Sequence, residues 1–489
     1  MLRRLRPRGR RPLRSRWERG AGPRAWLALC LVPLAGLAWA YAPLAPLAAS
    51  VPAAHRPAAI DGLPWLHTDT GAILDSSGRH VLLRGFNSDA LIEPGARHAD
   101  LDATDAGLMR SAGFDVVRLP ISWGLLEPVR GSVDQNYLER IAAAVDMLNR
   151  NGLYVVFDMH FLDWSAHYGG SGAPAWAAAA VIPDTQDLGP RLLRTHLNPA
   201  MNAATTYFWV SSDWQDDFLL VWRAVAERFR DISGVAGYDL YNEPHPLPLP
   251  PRIFEQQFMW PLYARAIEAI GAADPNHLFI VEGTFFGNFG TSVRPLTAPD
   301  LVYSPHLYTG SLVPPEFTGD PGPIHDKVTD QVHEASLVPA ALWNGELGTD
   351  RSMPRSAQWA DAALDAFDDA GIGWAWWQWR ESRQWGIRDH DGTFLDVEYL
   401  RHLARPYVAA APAGVRGGRG DGVAGRLDIT VDAAHDTAAV EVAWPQLTLQ
   451  RAPHASGACV ASQRWDGGRA RLTLTLVSGA GCTIAVAAG

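Results

Sequence analysis

The sequence predicts an α/β fold, a (β/α)₈ barrel followed by a small antiparallel β-sandwich. Short apolar segments alternate with helical patterns across residues 61–408, which is typical of a parallel sheet wrapped by helices. Residues 425–489 change character, because polar and apolar side chains alternate there with a period of two. Between these regions, residues 409–424 have the Gly/Pro/Ala-rich composition of a linker.

The predicted barrel strands are apolar runs that end in a polar or aromatic side chain. Helical patterns follow most of them, and a hairpin at 66–79 leads into the first. Eight such units over about 350 residues fit a TIM barrel with inserted loops. Strands are predicted at 80–87, 114–122, 153–160, 235–242, 277–282, 301–306, 341–346 and 372–378, and helices at 104–112, 135–151, 215–230, 254–272 and 356–370.

The composition is that of a globular protein, with 47% hydrophobic and 19% charged residues in a chain of 489. The formal net charge of −10 argues against nucleic-acid binding as the main task. Residues 1–24 hold ten Arg and one Glu, a charge of +9, so the rest of the chain carries −19. The 20 tryptophans suit a large core, but Trp also stacks on sugar rings and lies at membrane interfaces.

The N-terminal region, residues 1–60, is predicted to direct export. An uncharged run at 25–49 is long enough to span a bilayer, and the basic residues before it favour a cytoplasmic N-terminus. Prolines interrupt the run and small residues follow it, so a cleaved signal peptide is the alternative to a membrane anchor. The protein is therefore expected to be membrane-anchored, or secreted or periplasmic after cleavage, with residues 50–60 as a flexible tether.

The C-terminal region is predicted to be a β-sandwich with strands at 427–431, 439–443, 447–449, 470–476 and 483–486. About 65 residues is near the lower limit for an independent core. Cys459 and Cys482 are predicted to form a disulfide, because export favours disulfides, and two buried thiols are the alternative. A rigid structural appendage is the favoured role, and sugar or lipid binding is the other.

Polar side chains gather where the barrel strands end. The carboxyl ends of barrel strands are where such folds place their chemistry, so a barrel built only for stability would not need this set. The strand ends are Asn87, Arg118, His160, Asn242 with Glu243, His306 with Tyr308, Glu346, and Trp377.

Two of these residues are carboxylates, which is the arrangement that glycoside hydrolysis requires. Glu243 is predicted to be the general acid/base, with a pKa raised by the second carboxylate. Glu346 is predicted to be the nucleophile, and a retaining mechanism needs the two groups about 5–5.5 Å apart. Asn242 is placed to hydrogen-bond a sugar 2-hydroxyl. Ordinary surface acids are the alternative interpretation of both glutamates.

The other strand-end residues are predicted to support this pair. Arg118 and Tyr308 are expected to keep the nucleophile ionised and oriented. His160 and His306 are expected to hydrogen-bond substrate or carboxylates, and Trp377 to form a floor for the sugar. No metal-ligand spacing such as C-x-x-C is present, so we predict no metal and no cofactor.

In this order, the strand-end residues resemble those of glycoside hydrolase family 5 over residues 66–408, most closely its endoglycoceramidases. The resemblance implies release of intact glycan from ceramide with retention, and a C-terminal β-sandwich. The similar stretches are Leu83-Arg-Gly-Phe-Asn87, Val117-Arg-Leu-Pro-Ile-Ser-Trp123, Glu127-Pro128, Asp134-Gln-Asn-Tyr-Leu138, Asp158-Met-His160, Gly172-Ala-Pro-Ala-Trp176, Trp222-Arg-Ala-Val-Ala226 and Tyr238-Asp-Leu-Tyr-Asn-Glu-Pro244.

The loops depart from that pattern, since Phe161-Leu-Asp-Trp164 follows His160 where the relatives have Gln-Asp. The sugar, the linkage, the aglycone and the oligomeric state therefore stay open. The leading hypothesis is a retaining endoglycosidase acting on glycolipids at a membrane surface. One alternative is a family 5 β-glucanase or β-glucosidase that acts on glucans or on simple glucosyl-lipids or sterols. The other is a non-catalytic surface protein that binds glycan.

Overall fold

The structure is a computed structural model that describes residues 44–92, 101–178, 198–245, 249–285, 287, 290–381, 384–435, 438–479 and 481–489. The chain divides into two compact units, Met1–Ala45 and Pro46–Gly489. The barrel and the antiparallel sheets lie in the second unit.

The predicted tether at 50–60 and the end of the apolar run at 25–49 are packed on the barrel instead. Strand β1 (Leu47–Ala48) pairs in parallel with residues 296–297. Arg56 forms an ion pair with Asp300 at 2.8 Å. The Ala- and Pro-containing segment after the apolar run predicts a tether, but its partners are distant in sequence and no local pattern reveals them.

Most of the predicted membrane segment, residues 25–49, lies outside the described residues. Its last residues belong to β1 and cannot also be part of a membrane-spanning helix. Across the described part of the chain, every helix is too short or too polar to cross a bilayer.

The predicted N-terminal hairpin is present. It comprises β2 (Leu66–Asp69) and β3 (Ala72–Asp75), and β4 (His80–Val81) follows. The buried Asp75 carboxylate organises the turn, because it accepts hydrogen bonds from Ser77 and Arg79. The single strand predicted at 80–87 is in fact divided, since β4 lies outside the barrel and only residues 84–87 enter it.

Eight parallel strand positions close into a barrel, which confirms the predicted fold class. The ring closes because the last strand pairs with the first, and the sixth position is shared by two short strands. The strands from this region are β5 (Arg84–Asn87), β6 (Val116–Ile121), β7 (Tyr154–Met159), β8 (Val235–Asp239), β9 (Leu278–Val281), β10 (Leu296–Thr297, outside the ring), β11 (Leu301–Tyr303), β12 (His306–Leu307), β13 (Ala341–Leu347) and β14 (Gly373–Trp376).

Helices surround the barrel. The helix predicted at 254–272 is a short α-helix, a π-helical turn at Glu255–Met259 and a longer α-helix in succession. The described α-helices are α1 (Ala103–Ser111), α2 (Trp123–Leu126), α3 (Gln135–Arg150), α4 (Ala175–Ala178), α5 (Pro199–Val210), α6 (Ser212–Phe229), α7 (Pro251–Phe254), α8 (Trp260–Ala273), α9 (Gly322–Leu337), α10 (Ser356–Ala370), α11 (Val397–Leu403) and α12 (Gln446–Leu449).

Two antiparallel sheets form the predicted C-terminal sandwich around an apolar core of their own. The additional strands are β15 (Tyr407–Ala411), β16 (Val415–Gly417), β17 (Arg426–Val431), β18 (Val440–Ala443), β19 (Pro453–Ser456), β20 (Val460–Asp466), β21 (Arg471–Leu476) and β22 (Cys482–Ala488). The seven-stranded sheet has the order β2-β3-β4-β15-β18-β21-β20, so the N-terminal hairpin and β4 supply three of its strands. The four-stranded sheet has the order β16-β17-β22-β19.

Residues 409–424 were predicted to be a linker, but they are built into the sandwich. Strands β15 and β16 occupy the first half, and Arg419 in the second half pairs with Asp365 and Asp369 of α10. The glycines serve close packing: a Cβ on Gly420 would lie 2.0 Å from the Pro406 carbonyl oxygen. A Gly-rich composition therefore reflects tight backbone contact here and not a flexible connection.

One predicted sandwich strand is wrong, since residues 447–449 belong to the short helix α12, which follows Pro445. Proline is favoured at helix starts and poorly tolerated in central strands. Cys459 and Cys482 are joined by a disulfide, with Cα atoms 6.0 Å apart. Cys459 lies just before β20 and Cys482 begins β22, so the bond links the two sheets.

Candidate active site

Arg118 lies at the centre of the site and is fully buried in the middle of β6, where it pairs with Asn87 at the end of β5 and not at the strand end expected from the sequence. Burial alone would lower the pKa of the guanidinium, but the surrounding carboxylates raise it well above its ordinary value. Its nitrogens contact four carboxylates and two amides: Asp158 at 2.9 Å, Asp239 at 2.8 Å, Glu282 at 2.7 Å, Glu346 at 3.3 Å, and Asn87 and Asn242 at 3.1 Å each.

Glu346 projects from β13 beside the neighbouring strand β12. The Tyr308 hydroxyl donates to its Oε1 at 2.6 Å, and Arg118 contacts its Oε2. These are the two contacts expected from the sequence. Burial and the charge of Glu243 raise the pKa of Glu346, against the lowering effect of His306 and Arg118. The tyrosine and arginine therefore orient a carboxylate whose charge is costly in this setting.

Glu243 follows β8 and has a left-handed backbone, with φ of 42°. Non-glycine residues adopt this conformation only where their surroundings hold it. Its N–H donates to Glu282 at 2.8 Å, and its Oε1 lies 2.9 Å from Nδ1 of His306. Carboxylate oxygens of Glu243 and Glu346 lie within 4.8 Å of one another, so the two groups face a common space.

The other predicted site residues lie at the same rim. Asn242 donates to the Phe161 carbonyl at 3.0 Å and accepts from Arg118, which leaves one amide N–H for a ligand. His160 stacks on Trp377 with ring centroids 5.3 Å apart. The Trp377 ring is half-buried, as a platform requires, whereas the neighbouring rings of Trp374, Trp376 and Trp379 are buried in the core.

Three further buried carboxylates belong to the site, beyond the residues predicted from the sequence. Asp158 bonds Nδ1 of His160 at 2.7 Å, and Asp239 contacts Arg118. Burial and the charge of Glu282 raise the pKa of Asp239 well above its usual range. Burial would also raise the pKa of Glu282, but His306 and Arg118 lower it to about 2. A signal existed for Glu282, which ends the apolar run of β9 just as the other site residues end theirs.

Two groups of three side chains have metal-ligand chemistry within 4.8 Å, namely Glu243, His306 and Glu346, and Asp158, Asp239 and Glu282. The guanidinium of Arg118 contacts every carboxylate of the second group, so a cation already lies among them. In the first group, the imidazole of His306 bonds Glu243 directly. Within the described residues, protein side chains therefore contact both groups, although one oxygen each of Asp158 and Asp239 and Nε2 of His306 accept or donate no hydrogen bond there.

An aromatic-lined cavity of about 80 Å³ adjoins the outer side of Glu243. Phe161 and Tyr241 stack face to face there, with centroids 4.0 Å apart. The cavity is mainly apolar, and its lining residues are Phe161, Leu162, Asp163, Trp164, Met201, Thr205, Tyr241, Glu243, His245 and Phe285.

Solved structures of similar proteins share this architecture. The crystal structure of an endogalactoceramidase is 29% identical with a TM-score of 0.73, over 87% of this chain and all of that one. Structures of endo-glycoceramidase II from Rhodococcus sp. have 26–27% identity. Its ganglioside GM3 complex has a TM-score of 0.74 over 86% of this chain and all of that one. Its lactosyl-enzyme intermediate has a TM-score of 0.72 over 85% and 99%.

Sequence comparison points the same way. Endoglycoceramidase I of Rhodococcus hoagii (strain 103S) is 28% identical over 376 residues, which are 71% of this chain and 72% of that protein. The family model for cellulase (glycosyl hydrolase family 5) matches residues 74–383, more than half of the chain. The resemblance noted in the sequence is thereby confirmed, and the chain is a glycoside hydrolase that belongs to glycosyl hydrolase family 5.

Proposed function

We propose that this protein is a retaining endoglycosidase that hydrolyses the β-glycosidic bond between the glycan and the lipid of glycolipids. The observation that carries the proposal is the facing pair of Glu243 and Glu346, with carboxylate oxygens within 4.8 Å. Retaining enzymes hold their two carboxyl groups about 5–5.5 Å apart, whereas inverting enzymes need about 6.5–9.5 Å to admit a water molecule.

In the first half of the reaction, Glu346 attacks the anomeric carbon and Glu243 gives a proton to the departing oxygen. Tyr308 and Arg118 hold the nucleophile in place through both of its oxygens. Asn242 offers its remaining N–H to the sugar 2-hydroxyl, a contact that strengthens in the transition state. The product of this step is a glycosyl ester on Glu346 and a free lipid alcohol.

In the second half, Glu243 removes a proton from a water molecule that attacks the same carbon from the face the lipid has left. The ester to Glu346 breaks, and the glycan leaves with its original anomeric configuration. A lactosyl-enzyme intermediate is known for endo-glycoceramidase II of Rhodococcus sp., which supports the covalent route for this relative.

A lipid aglycone is supported by the surroundings of the proposed acid/base. We assign the aromatic-lined cavity of about 80 Å³ to the start of the aglycone site, because Glu243 lines it and protonates the departing group in the proposed mechanism. Its apolar walls suit a hydrocarbon chain better than a second sugar. The similar proteins that cleave or bind glycosphingolipids, as their names state, support ceramide as the lipid.

We also propose that the protein works at a membrane surface, either anchored by its N-terminal segment or exported after cleavage. Helix α5 turns Met201 and Thr205 toward the cavity and exposes Tyr207 and Val210 on its outer side. Leu162, which also lines the cavity, is 45% exposed. Exposed apolar side chains beside this cavity favour contact with a bilayer.

The decisive experiment follows the anomer of the first product by ¹H NMR while a glycosphingolipid is hydrolysed. We expect the β-anomer to appear first, and initial release of the α-anomer would overturn retention. An activated 2-deoxy-2-fluoro glycoside should leave its mass on the peptide that contains Glu346. Labelling elsewhere would refute that assignment.

A substrate panel separates the alternatives. We expect hydrolysis of glycosphingolipids, with soluble β-glucans and simple glucosyl-sterols cleaved slowly or not at all. Turnover of glucans alone would instead identify a family 5 glucanase. A failure of the wild type on every glycolipid and activated aryl glycoside would leave glycan binding as the better account.

A further inference from the structure

We propose that Glu282 is a positioning residue for the acid/base, acting through the imidazole of His306 and the backbone N–H of Glu243. In this arrangement the proton that reaches the departing oxygen is shared beforehand by Glu243 and His306. The inference rests on the proposed function, and it adds a residue and a proton path to it.

Both oxygens of Glu282 are engaged. The side chain is 2% exposed, at the end of β9 between the strands that carry Glu243 and His306. Its Oε2 accepts the N–H of Glu243 at 2.8 Å, and its Oε1 accepts Nη2 of Arg118 at 2.7 Å. The same Oε1 lies 3.3 Å from Nε2 of His306, an ion-pair contact outside ideal hydrogen-bond geometry.

Glu282 first helps to hold the backbone of Glu243. Glu243 has a left-handed φ of 42°, which a residue with a side chain keeps only when its surroundings hold it. The hydrogen bond from its N–H to Glu282 supplies such a hold from the next strand of the barrel. Glu282 therefore helps to fix the direction in which the Glu243 carboxyl group points.

Glu282 also favours protonation of the His306 imidazole. Nδ1 of His306 faces Glu243 at 2.9 Å and Glu346 at 3.9 Å, while Nε2 faces Glu282. With a carboxylate on each side, both ring nitrogens are placed to carry protons. Burial would lower the pKa of His306, but Glu282, Glu346 and Glu243 raise it well above its usual value. The positive charge of Arg118 favours the neutral imidazole and so opposes the carboxylates. Arg118 itself also contacts Asp158 and Asp239.

The proton path is balanced. The Nδ1 proton of His306 passes to Oε1 of Glu243, so the imidazole becomes neutral and Glu243 becomes a carboxylic acid. Glu243 then gives that proton to the departing oxygen. In the second half of the reaction, Glu243 takes a proton from water and returns it to His306. Glu282 stays ionised throughout, and its charge 3.3 Å away favours the proton on Nε2.

The test is the pH dependence of kcat/KM for Glu282→Gln, which keeps the shape and removes the charge. Without that charge His306 should lose its proton at lower pH, so the alkaline limb should move down by about 1–3 pH units. The matched control is Glu255→Gln, the same change at a buried glutamate that bonds Thr284, Thr291 and Ser292 outside the Arg118 cluster. Its alkaline limb should stay near that of the wild type.

A uniform loss of activity in Glu282→Gln, with an unmoved alkaline limb, would overturn the proposal and leave only a structural role. A second measurement uses the wild type alone and so does not depend on the folding of a variant. The protonation of the two ring nitrogens of His306 is followed by NMR in protein labelled with ¹⁵N-histidine. We expect both ring nitrogens to be protonated at pH 7, and a neutral ring there would also overturn it. Failure of the proposed function would show differently, as a wild type without glycosidase activity.

Discussion

The two ends of the barrel handle charge in different ways. At the carboxyl end, one arginine, Arg118, contacts four carboxylates within 3.3 Å. At the amino end, Arg84 pairs with Asp368 at 2.6 Å and Arg471 with Asp115 at 3.1 Å. An apolar cluster formed by the hairpin and the first residues of the barrel strands fills the space there. Several carboxylates thus share one cation where the chemistry is proposed, while each of these two arginines at the other end pairs with a single carboxylate.

The difference separates two roles for buried ion pairs. Desolvating two ions costs about as much as their attraction returns, so a balanced pair adds little net stability. Four carboxylates on one guanidinium cost more, and Asp239 responds with a raised pKa. We interpret this destabilising cluster as functional, because it fixes the positions and protonation states of Glu346 and Glu243.

The largest effect is expected from Arg118→Met, which leaves the four carboxylates without their cation. Breaking a buried pair costs about 3–5 kcal/mol, and the orientation of Glu346 is lost as well. Denaturant unfolding and aryl-glycoside turnover should both show the loss. The control is Arg84→Met, which should lower the free energy of unfolding and leave kcat/KM of the folded protein unchanged. Equal losses of kcat/KM in Arg118→Met and Arg84→Met would contradict the distinction between the two ends of the barrel.

A smaller loss is expected when the link between the sandwich sheets is removed. Cys459→Ser opens a loop of 23 residues and should cost about 2–4 kcal/mol in unfolding free energy. Because the bond lies in the sandwich, kcat/KM of the folded enzyme should not change. The wild type in reductant should match the variant. A lower kcat/KM with an unchanged free energy of unfolding would show that the sandwich influences the active site.

Tyr308→Phe removes one hydrogen bond to Glu346 and leaves the packing in place. A hydrogen bond to a charged group is worth about 1.5–3 kcal/mol, so kcat should fall roughly 10–150-fold. The matched control at the amino end is Tyr407→Phe, which removes a bond of 2.8 Å to Asp115. That variant should lose stability and keep its kcat, and the reverse pattern would refute the assignment.

The smallest effect is expected at the hairpin turn, from Asp75→Asn. Burial would raise the pKa of Asp75, but hydrogen bonds from Ser77 and Arg79 and the charge of Arg79 lower it overall. The stabilisation is therefore present above the unfolded pKa of about 3.9 and is lost as the pH falls through the lower folded value. The variant should be less stable than the wild type at pH 7, and the gap should narrow by pH 3. A gap that stays constant with pH would exclude the charge as its cause.

Much of the fold was predictable because the barrel repeats one local signal. Each strand is an apolar run that ends in a polar or aromatic residue, and Asn242 with Glu243 shows the pattern plainly. The eight proposed site residues of the barrel came from this signal, and the structure brings them to one rim. Glu282 carries the same signal and was overlooked, because its partners Arg118 and His306 lie far away in the sequence.

The failures have a common physical origin. Residues 50–60 and 409–424 have the composition of flexible segments, yet each is fixed by distant partners such as Asp300 and Asp369. Gly420 illustrates the problem, since a glycine that permits close packing and a glycine that permits flexibility look the same in a sequence. Composition reflects the conformational preference of an isolated segment, whereas these two segments are ordered by contacts with residues distant in the sequence.

The mixed origin of the seven-stranded sheet bears on how the chain folds during synthesis. Strand β4 is made early, but its partner β15 emerges only after residues 82–406 have been translated. At about 5–20 residues per second, the growing chain waits roughly 16–65 s before the edge of β4 is covered. An uncovered strand edge pairs readily with other chains. Nascent protein is thus exposed to aggregation until about its last sixth leaves the ribosome, and a truncation before residue 407 would make that exposure permanent.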